Sequence, residues 1–263
     1  MSNAETSRTK PPSRDAHDRR CPRDSLCVLE ISGDLRQSLR VRERISHEDD
    51  DGVFAAARER MVAEQLTVPW RGITDTDVLA AMRTVPRHEF VPPELRHLAY
   101  EDQPLPIGHG QTISQPYIVA RMSELLTAGK PPGKILEIGT GCGYQTSILA
   151  RLSTEVYSVE RLMPLLSKAR RNVRELRVMN IRFKHADGHI GIPEGAPFDG
   201  IMVTAAATHV PDALKQQLAI GGRMVVPMGT TEQYLCVIER SRSGFAETRL
   251  DAVKFVPMLS GLS

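Results

Sequence analysis

The chain has 263 residues, of which 41% are hydrophobic and 25% are charged, so it is long enough for one substantial domain with a packed core. Its 34 Lys and Arg residues nearly balance its 32 Asp and Glu residues, and a net charge of +2 does not indicate a basic face for nucleic acid. No run of about 18 apolar residues is present, and the start of the chain has no apolar signal segment, so we expect a cytoplasmic protein.

Residues 1–52 differ in composition from the rest of the chain. They hold ten basic and eleven acidic residues and end in the acidic run "HEDDD" at 47–51. Only "LCVLEI" at 26–31 is apolar, so this segment cannot bury enough surface to offset its ordering entropy. We predict a disordered extension, and its balanced charges argue against a basic arm for nucleic acid.

A helical front end is predicted over 54–100. "FAAARERMVAEQL" has apolar residues at helical spacing, and a break follows around Trp70, which we expect to anchor the front end. "TDTDVLAAMRTV" opens on Asp75 or Thr76 as an N-cap and ends before Pro86. "PELRHLAY" is predicted to be a further short helix.

The stretch "GHGQTISQPYIVA", residues 108–120, combines a flexible glycine turn with polar side chains and no carboxylate. We interpret its first half as a loop, followed by a helix with Pro116 in its first turn. The hydrogen-bonding side chains of this loop are Gln111, Thr112, Ser114 and Gln115.

From Lys134 onward, short apolar strands alternate with helices at about 144–152, 162–178 and 211–219. This alternation predicts a doubly wound α/β fold with a mainly parallel sheet covered on both faces. "YLCVIER" at 234–240 and a last strand near 249–256 indicate a closing antiparallel hairpin. The other strands are expected at 134–138, 155–160, 181–186, 198–204 and 222–228.

The segment "ILEIGTGCGYQ" is a strand, a glycine turn and a helix start. Gly139, Gly141 and Gly143 allow a sharp turn and close approach of a ligand to backbone amides. A nicotinamide fingerprint, GxGxxG, needs a third glycine at position 144, which is Tyr144 here. The spacing therefore disfavours a dehydrogenase.

Three acidic residues lie at or near the carboxyl ends of successive predicted strands. Glu137 precedes the glycine turn, Glu160 ends the next strand and Asp187 follows the third. Such positions flank the crevice where doubly wound sheets bind nucleotides, and Glu160 suits both ribose hydroxyls. This many carboxylates suit a cationic sulfonium better than a pyrophosphate, so we predict S-adenosylmethionine as the cofactor.

The sequence resembles the protein-L-isoaspartate O-methyltransferase (protein-β-aspartate methyltransferase) family from about Met61 to the last residue. Its "GQTISQPYIVA" phrase is specific to that family, whereas the glycine turn is shared by methyltransferases generally. The other matching phrases are "MVAEQL", "RGITDTDVLAAMRTVPRHEFVP", "ILEIGTGCGYQTSILARL", "VYSVER", "HADG", "APFDGIMVTAAA", "LAIGGRMVVPMG" and "VKFVPMLSG".

Composition and element pattern together predict a Rossmann-like methyltransferase domain at 53–263, with the front end and substrate loop at 53–130 and the cofactor-binding core at 131–263. The resemblance implies methyl transfer to the α-carboxylate of L-isoaspartyl residues in damaged proteins, and it leaves the acceptance of D-aspartyl residues open. The serine of the "TIS" phrase, Ser114, is the implied active-site residue. The implied cofactor-binding residues are Glu137, Gly139, Gly141, Glu160, Asp187 and Gly188.

An isoaspartyl carboxylate is ionised near neutral pH and needs no general base, so its alignment and the exclusion of water matter most. We hypothesise that Ser114 orients this carboxylate, with Thr112 and Gln111 contacting the substrate backbone. Alternatively, Ser114 caps the helix that begins near Pro116. We expect a monomer, because the enzyme must admit bulky protein chains.

Two other functions remain as alternatives. A methyltransferase of this fold acting on RNA or a small metabolite would favour a basic or aromatic substrate face, which the loop sequence lacks. A binding module that retains only the cofactor fold is disfavoured because Ser114, Glu160 and the glycines are all present. The spacing of Cys21, Cys27, Cys142 and Cys236, and of His185 and His189, predicts neither a metal site nor a disulfide framework.

Overall fold

The structure, a computed structural model, describes residues 52–263. The extension predicted at 1–52 therefore lies outside the described residues, apart from Gly52. The helices of the described part are α1 (52–60, continuing as a π-helical turn over Met61–Leu66), α2 (Thr76–Thr84), α3 (Pro116–Thr127), α4 (Tyr144–Leu152), α5 (Met163–Glu175) and α6 (Asp212–Gln217). Short 3₁₀ helices cover Arg87–Phe90, Pro93–Leu98 and Pro193–Gly195.

The strands of residues 52–263 form a small hairpin and one large sheet. Their bounds are β1 (Leu105–Gly108), β2 (Gln111–Ile113), β3 (Lys134–Ile138), β4 (Glu155–Glu160), β5 (Ile181–His185), β6 (Phe198–Val203), β7 (Leu218–Gly229), β8 (Gln233–Ser241) and β9 (Gly244–Val253). The large sheet has the order β5-β4-β3-β6-β7-β8-β9. Pairing is parallel from β5 to β7 and antiparallel between β7, β8 and β9, which confirms the predicted fold class.

The front end begins as the sequence predicts. The carboxylate of Asp75 caps α2 by accepting hydrogen bonds from the backbone N–H groups of Asp77 at 2.9 Å and Val78 at 3.1 Å. The apolar face of the first helix ends in the fully buried side chains of Met61 and Val62. These helices therefore pack into the core that supports the site.

The stretch interpreted as a loop contains a β-hairpin, which the sequence analysis missed. Gly108 pairs with Gln111, so His109 and Gly110 form a two-residue turn, with φ of 53° and 68°. Two consecutive positive φ values are the requirement of a type I′ hairpin turn, and the "GHG" triplet supplies them. Ile107 on β1 packs towards the glycine turn, because its Cδ1 atom lies 3.4 Å from the position of a Cβ on Gly141.

The C-terminal strands shift from their predicted bounds. Strand β7 starts at Leu218 instead of 222, because Leu218 pairs with Phe198 on β6 ahead of an irregularity in the register. Strand β9 is displaced towards the N-terminus, where it follows the turn that ends at Gly244. The chain after Val253 leaves the sheet and passes beside Ala206. The Ala206 N–H donates to the Val256 carbonyl, and the Ala206 carbonyl accepts from the Met258 N–H.

The prediction that Trp70 anchors the front end is wrong, since this side chain is 81% exposed. The turn after the π-helix carries it outward, and the core contact there is made by Leu66 instead. Across residues 52–263, the helices are all too short or too polar to cross a membrane.

Candidate active site

The glycine turn after β3 is shaped so that only glycine fits at its first position. Gly139 has φ of 98°, and a Cβ placed there would lie 2.4 Å from the Oγ1 atom of Thr204. Thr204 is itself fixed, because its hydroxyl donates to the carbonyl oxygens of Ile138 at 2.9 Å and Gly139 at 2.7 Å. The backbone at Gly139 is therefore open to a ligand, and the hydroxyl of Thr204, which follows β6, holds it in position.

Glu160 ties the glycine turn to the end of β4. Its carboxylate accepts hydrogen bonds from the N–H of Gly141 at 2.9 Å and from the N–H of Leu162 at 3.0 Å, and the residue is 6% exposed. Each carboxylate oxygen keeps a further acceptor site, so Glu160 is able to accept ribose hydroxyls as the sequence predicts.

Glu137 lies fully buried behind the turn. Its Oε2 atom accepts hydrogen bonds from the hydroxyls of Thr146 at 2.6 Å and Ser158 at 2.5 Å. Burial raises the pKa of this carboxyl group to about 8, although the two hydroxyls oppose the shift and the nearby Glu160 carboxylate adds to it. Its Oε1 atom has no hydrogen-bond partner within residues 52–263.

Asp187 and Gly188 follow β5 at the same edge of the sheet. Burial acts to raise the pKa of Asp187, but hydrogen bonds from the N–H groups of Gly261 and His189 and from the His189 ring hold it below its usual value. Gly188 lines the cleft next to Ile138, whose Cγ2 atom would lie 2.4 Å from a Cβ there. Asp187 itself is not among the lining residues; its Oδ2 atom accepts from Gly261 at 2.6 Å.

These residues form a cleft along the carboxyl ends of β3, β4 and β6. Its walls come from the glycine turn, from the β1–β2 hairpin and from the segment after β9. The lining includes Gln111, Thr112, Gly139, Gly141, Glu160, Gly188, Thr204 and Val256 to Leu259. Two glycines where a Cβ would clash and the Glu160 carboxylate fit a nucleoside ligand that approaches the backbone closely, and Arg161 is the other charged residue of the lining.

A second cleft adjoins the first and contains Ser114. Ser114, Gln115 and Ile118 line one side of it, and residues 252–256 line the other. Thr112, Thr204 and Val256 line both clefts, so the two are continuous at these side chains. A group held beside Ser114 therefore has a path to a ligand in the first cleft.

Ser114 does not cap α3, which removes the structural alternative for this residue. The N-cap of α3 is Gln115 and makes no side-chain capping bond. The N–H of Tyr117 instead donates to Asp102 at 3.2 Å, and Asp102 also binds Arg71 and the Gln115 amide. Within residues 52–263 the Ser114 hydroxyl makes no hydrogen bond and is half-buried, so it is available to a substrate.

The other polar residues predicted for the substrate are less constrained. Thr112 is exposed on β2, and the Gln111 amide makes only a weak contact with the His109 carbonyl at 3.4 Å. Burial raises the pKa of the Cys142 thiol in the glycine turn, which suits a packing residue and not a nucleophile. Within the described chain, His, Cys, Asp and Glu form no group of three or more able to hold a metal ion.

Three contributors to the clefts could not be identified from the sequence: Thr204, Asp102 and the segment after β9. Thr204 ends a predicted strand, but only the strand order places that strand next to β3. In the sequence, nothing marks Asp102 as part of the site except its position shortly before the polar stretch at 108–120. The segment 254–258 contains "KFVPM", whose contribution depends on the contact with Ala206 far away in sequence.

The fold and the first cleft define the chain as an S-adenosylmethionine-dependent methyltransferase. The sequence model of protein-L-isoaspartate(D-aspartate) O-methyltransferase matches residues 58–263, and the chain belongs to that family. A protein-L-isoaspartate O-methyltransferase of Methylobacillus flagellatus is 60% identical over 208 residues, which cover 78% of this chain and 92% of that relative.

Further relatives agree with this assignment. Protein-L-isoaspartate O-methyltransferase 2 of Nitrosospira multiformis is 61% identical over 205 residues, covering 78% of this chain and 96% of that protein. A Plasmodium falciparum structure described as a protein-L-isoaspartate O-methyltransferase in complex with S-adenosyl-L-homocysteine superposes with a TM-score of 0.66 at 28% identity. It covers 77% of this chain and 98% of that one.

Proposed function

We propose that this chain transfers a methyl group from S-adenosylmethionine to the α-carboxylate of L-isoaspartyl residues in damaged proteins and peptides. The methyl ester then closes to a succinimide, whose hydrolysis returns some normal aspartate. The observation that carries the proposal is the continuity of the two clefts at Thr112, Thr204 and Val256, with the free Ser114 hydroxyl in the second.

The first cleft is proposed to hold the cofactor. When bound, S-adenosylmethionine supplies an electrophilic methyl group on a sulfonium centre. Glu160 accepts the ribose hydroxyls, and Gly139, Gly141 and Gly188 allow close approach of the backbone. Glu137 places a carboxyl group behind the glycine turn. Asp187 stabilises the segment after β9 by accepting a hydrogen bond from the Gly261 N–H.

The second cleft is proposed to align the substrate carboxylate. The Ser114 hydroxyl donates a hydrogen bond to one carboxylate oxygen and leaves the other to attack. Because the carboxylate is already ionised near pH 7, no protein base removes a proton.

Gln111 and Thr112 are proposed to contact the backbone of the substrate. Both belong to β2, and Thr112 borders both clefts, so a peptide that reaches Ser114 passes along this strand. D-aspartyl residues are included in the proposed substrate range, since the family description names them.

The proposed organisation has a methyltransferase domain at 53–263, divided into a front end with substrate hairpin at 53–130 and a cofactor-binding core at 131–263. We propose a cytoplasmic monomer without a nucleic-acid partner. The buried, unpaired thiols of Cys142 and Cys236 are in keeping with a reducing compartment.

The test is methyl transfer from labelled S-adenosylmethionine to two matched peptides that differ only in one aspartyl or isoaspartyl linkage. We expect base-labile label on the isoaspartyl peptide alone, because the product is a carboxyl methyl ester. If neither peptide is labelled while the cofactor binds, or if label accumulates on RNA, the proposed substrate is wrong.

A further inference from the structure

The cleft that contains Ser114 is lined by neutral residues with one exception. That exception is Lys254, which follows the last residue of β9. The remaining lining residues are Pro104, Thr112, Ser114, Gln115, Ile118, Thr204, Ala252, Val253, Phe255 and Val256. A substrate in this cleft therefore meets one charged side chain of the lining, and its charge is positive.

The backbone that carries Lys254 is firmly held. The Gln233 side chain accepts a hydrogen bond from the Phe255 N–H at 2.6 Å and donates one to the Phe255 carbonyl at 3.2 Å. One residue further, the Val256 carbonyl accepts from the N–H of Ala206 at 2.8 Å. Lys254 thus extends from a fixed wall opposite Ser114 and Gln115.

The ammonium group of Lys254 has no protein partner in the part of the chain that the structure describes. Within residues 52–263 it makes no hydrogen bond or ion pair. By contrast, Arg71 pairs with Asp102, and Arg121 pairs with Glu124 on α3. Lys254 is therefore free to pair with a charge on a ligand.

The exposure of Lys254 indicates which charged group of the peptide substrate it contacts. Lys254 is exposed, whereas Ser114 is half-buried. The carboxylate that attacks must lie beside Ser114 and close to the junction of the two clefts. A lysine paired with that carboxylate would also reduce its nucleophilicity, so the geometry favours contact with a neighbouring side chain of the peptide.

We propose that Lys254 is a specificity residue that favours isoaspartyl peptides with an acidic side chain adjacent to the damaged residue. The inference rests on the proposed function, and it adds the preferred sequence context of the substrate. Since the pair is solvent-exposed, the preference is modest and decreases with salt.

The test compares kcat/KM for isoaspartyl peptides that carry Glu, Gln or Lys at one adjacent position, on either side of the damaged residue. For the wild-type chain we expect the best Glu peptide to exceed its Gln counterpart by about two- to five-fold at low salt, the range of an exposed ion pair. In Lys254→Glu the order inverts, and in Lys254→Gln it disappears.

Lys130→Glu is the matched control, because it makes the same change in net charge in the loop before β3, at the amino end of that strand and away from both clefts. It should keep the wild-type preference. If Lys254→Glu keeps the preference, or lowers kcat/KM equally for all peptides, Lys254 does not recognise a neighbouring side chain and the inference is wrong. If the wild-type chain methylates no isoaspartyl peptide, the proposed function itself fails and the inference with it.

Discussion

The two clefts differ in how their polar groups are satisfied. In the cofactor cleft, the Glu160 carboxylate accepts hydrogen bonds from the backbone N–H groups of Gly141 and Leu162. In the substrate cleft, the side chains of Ser114 and Lys254 have no partner within residues 52–263. One cleft is preorganised for a single ligand, and the other leaves its groups available for varied peptides.

This difference has a physical reason. A cofactor always presents the same atoms. Hydrogen bonds within the protein can therefore hold the complementary groups in one arrangement, because the cleft does not have to adapt to different ligands. Damaged proteins present one common carboxylate among many different neighbours. A single available hydroxyl for the carboxylate, surrounded mostly by neutral side chains, suits that requirement.

The largest effect on cofactor binding is expected at the most crowded position of the cofactor cleft. In Gly139→Ala the new Cβ meets the Thr204 hydroxyl and the residue has to keep a positive φ, at a cost of roughly 1–3 kcal/mol for the backbone alone. We expect affinity for S-adenosyl-L-homocysteine to fall by at least about tenfold in calorimetry, since the turn must move.

Gly221→Ala is the control that separates backbone strain from steric crowding at the new Cβ. Gly221 also has a positive φ, of 82°, but nothing lies within 4 Å of its Cβ position. It should lose stability without losing cofactor affinity. Equal affinity losses in the two variants would mean that the close contact with Thr204 does not shape the cleft.

The next effect is on folding stability, at Glu137, and it has a defined pH dependence. Burial raises the pKa of its carboxyl group to about 8, from 4.5 in a model peptide. The stability that this group contributes is therefore complete below about pH 4.5 and is lost as pH rises towards 8. At pH 8, the free energy of unfolding of Glu137→Gln should exceed that of wild type. The difference is on the order of 1.4 kcal/mol for each pH unit by which folding raises the pKa.

Urea denaturation at pH 4.5 and pH 8 measures this difference, which should shrink towards zero at the lower pH. Glu175→Gln, an exposed substitution on α5, is the control and should show no such pH dependence. A Glu137→Gln variant that is less stable than wild type at pH 8 would show that the buried carboxylate is compensated, and the contrast between the clefts would weaken.

The sequence predicts the cofactor half better than the substrate half. Strands β3 and β4 and helix α4 have their predicted bounds, because strong local patterns flank a glycine turn. The sequence predicts a loop in place of the β1–β2 hairpin, since the two strands are short and the turn depends on a positive φ at His109.

The wall opposite Ser114 could not be predicted for a different reason. Lys254 and Phe255 reach the site through Gln233 and Ala206, which are distant in sequence and meet only after the sheet has formed. Trp70 was placed wrongly because helical spacing does not define the direction of the turn that follows.

The central claim is that Ser114 aligns the substrate and takes no part in holding the cofactor. The most direct measurement compares Ser114→Ala with the control Ser167→Ala, an exposed substitution on α5, in kcat/KM for an isoaspartyl peptide and in affinity for S-adenosyl-L-homocysteine. Loss of alignment predicts a fall in kcat/KM of about 100-fold for Ser114→Ala, with cofactor affinity unchanged. Unchanged kcat/KM, or an equal loss of cofactor affinity, would contradict the assignment of Ser114 to the substrate cleft.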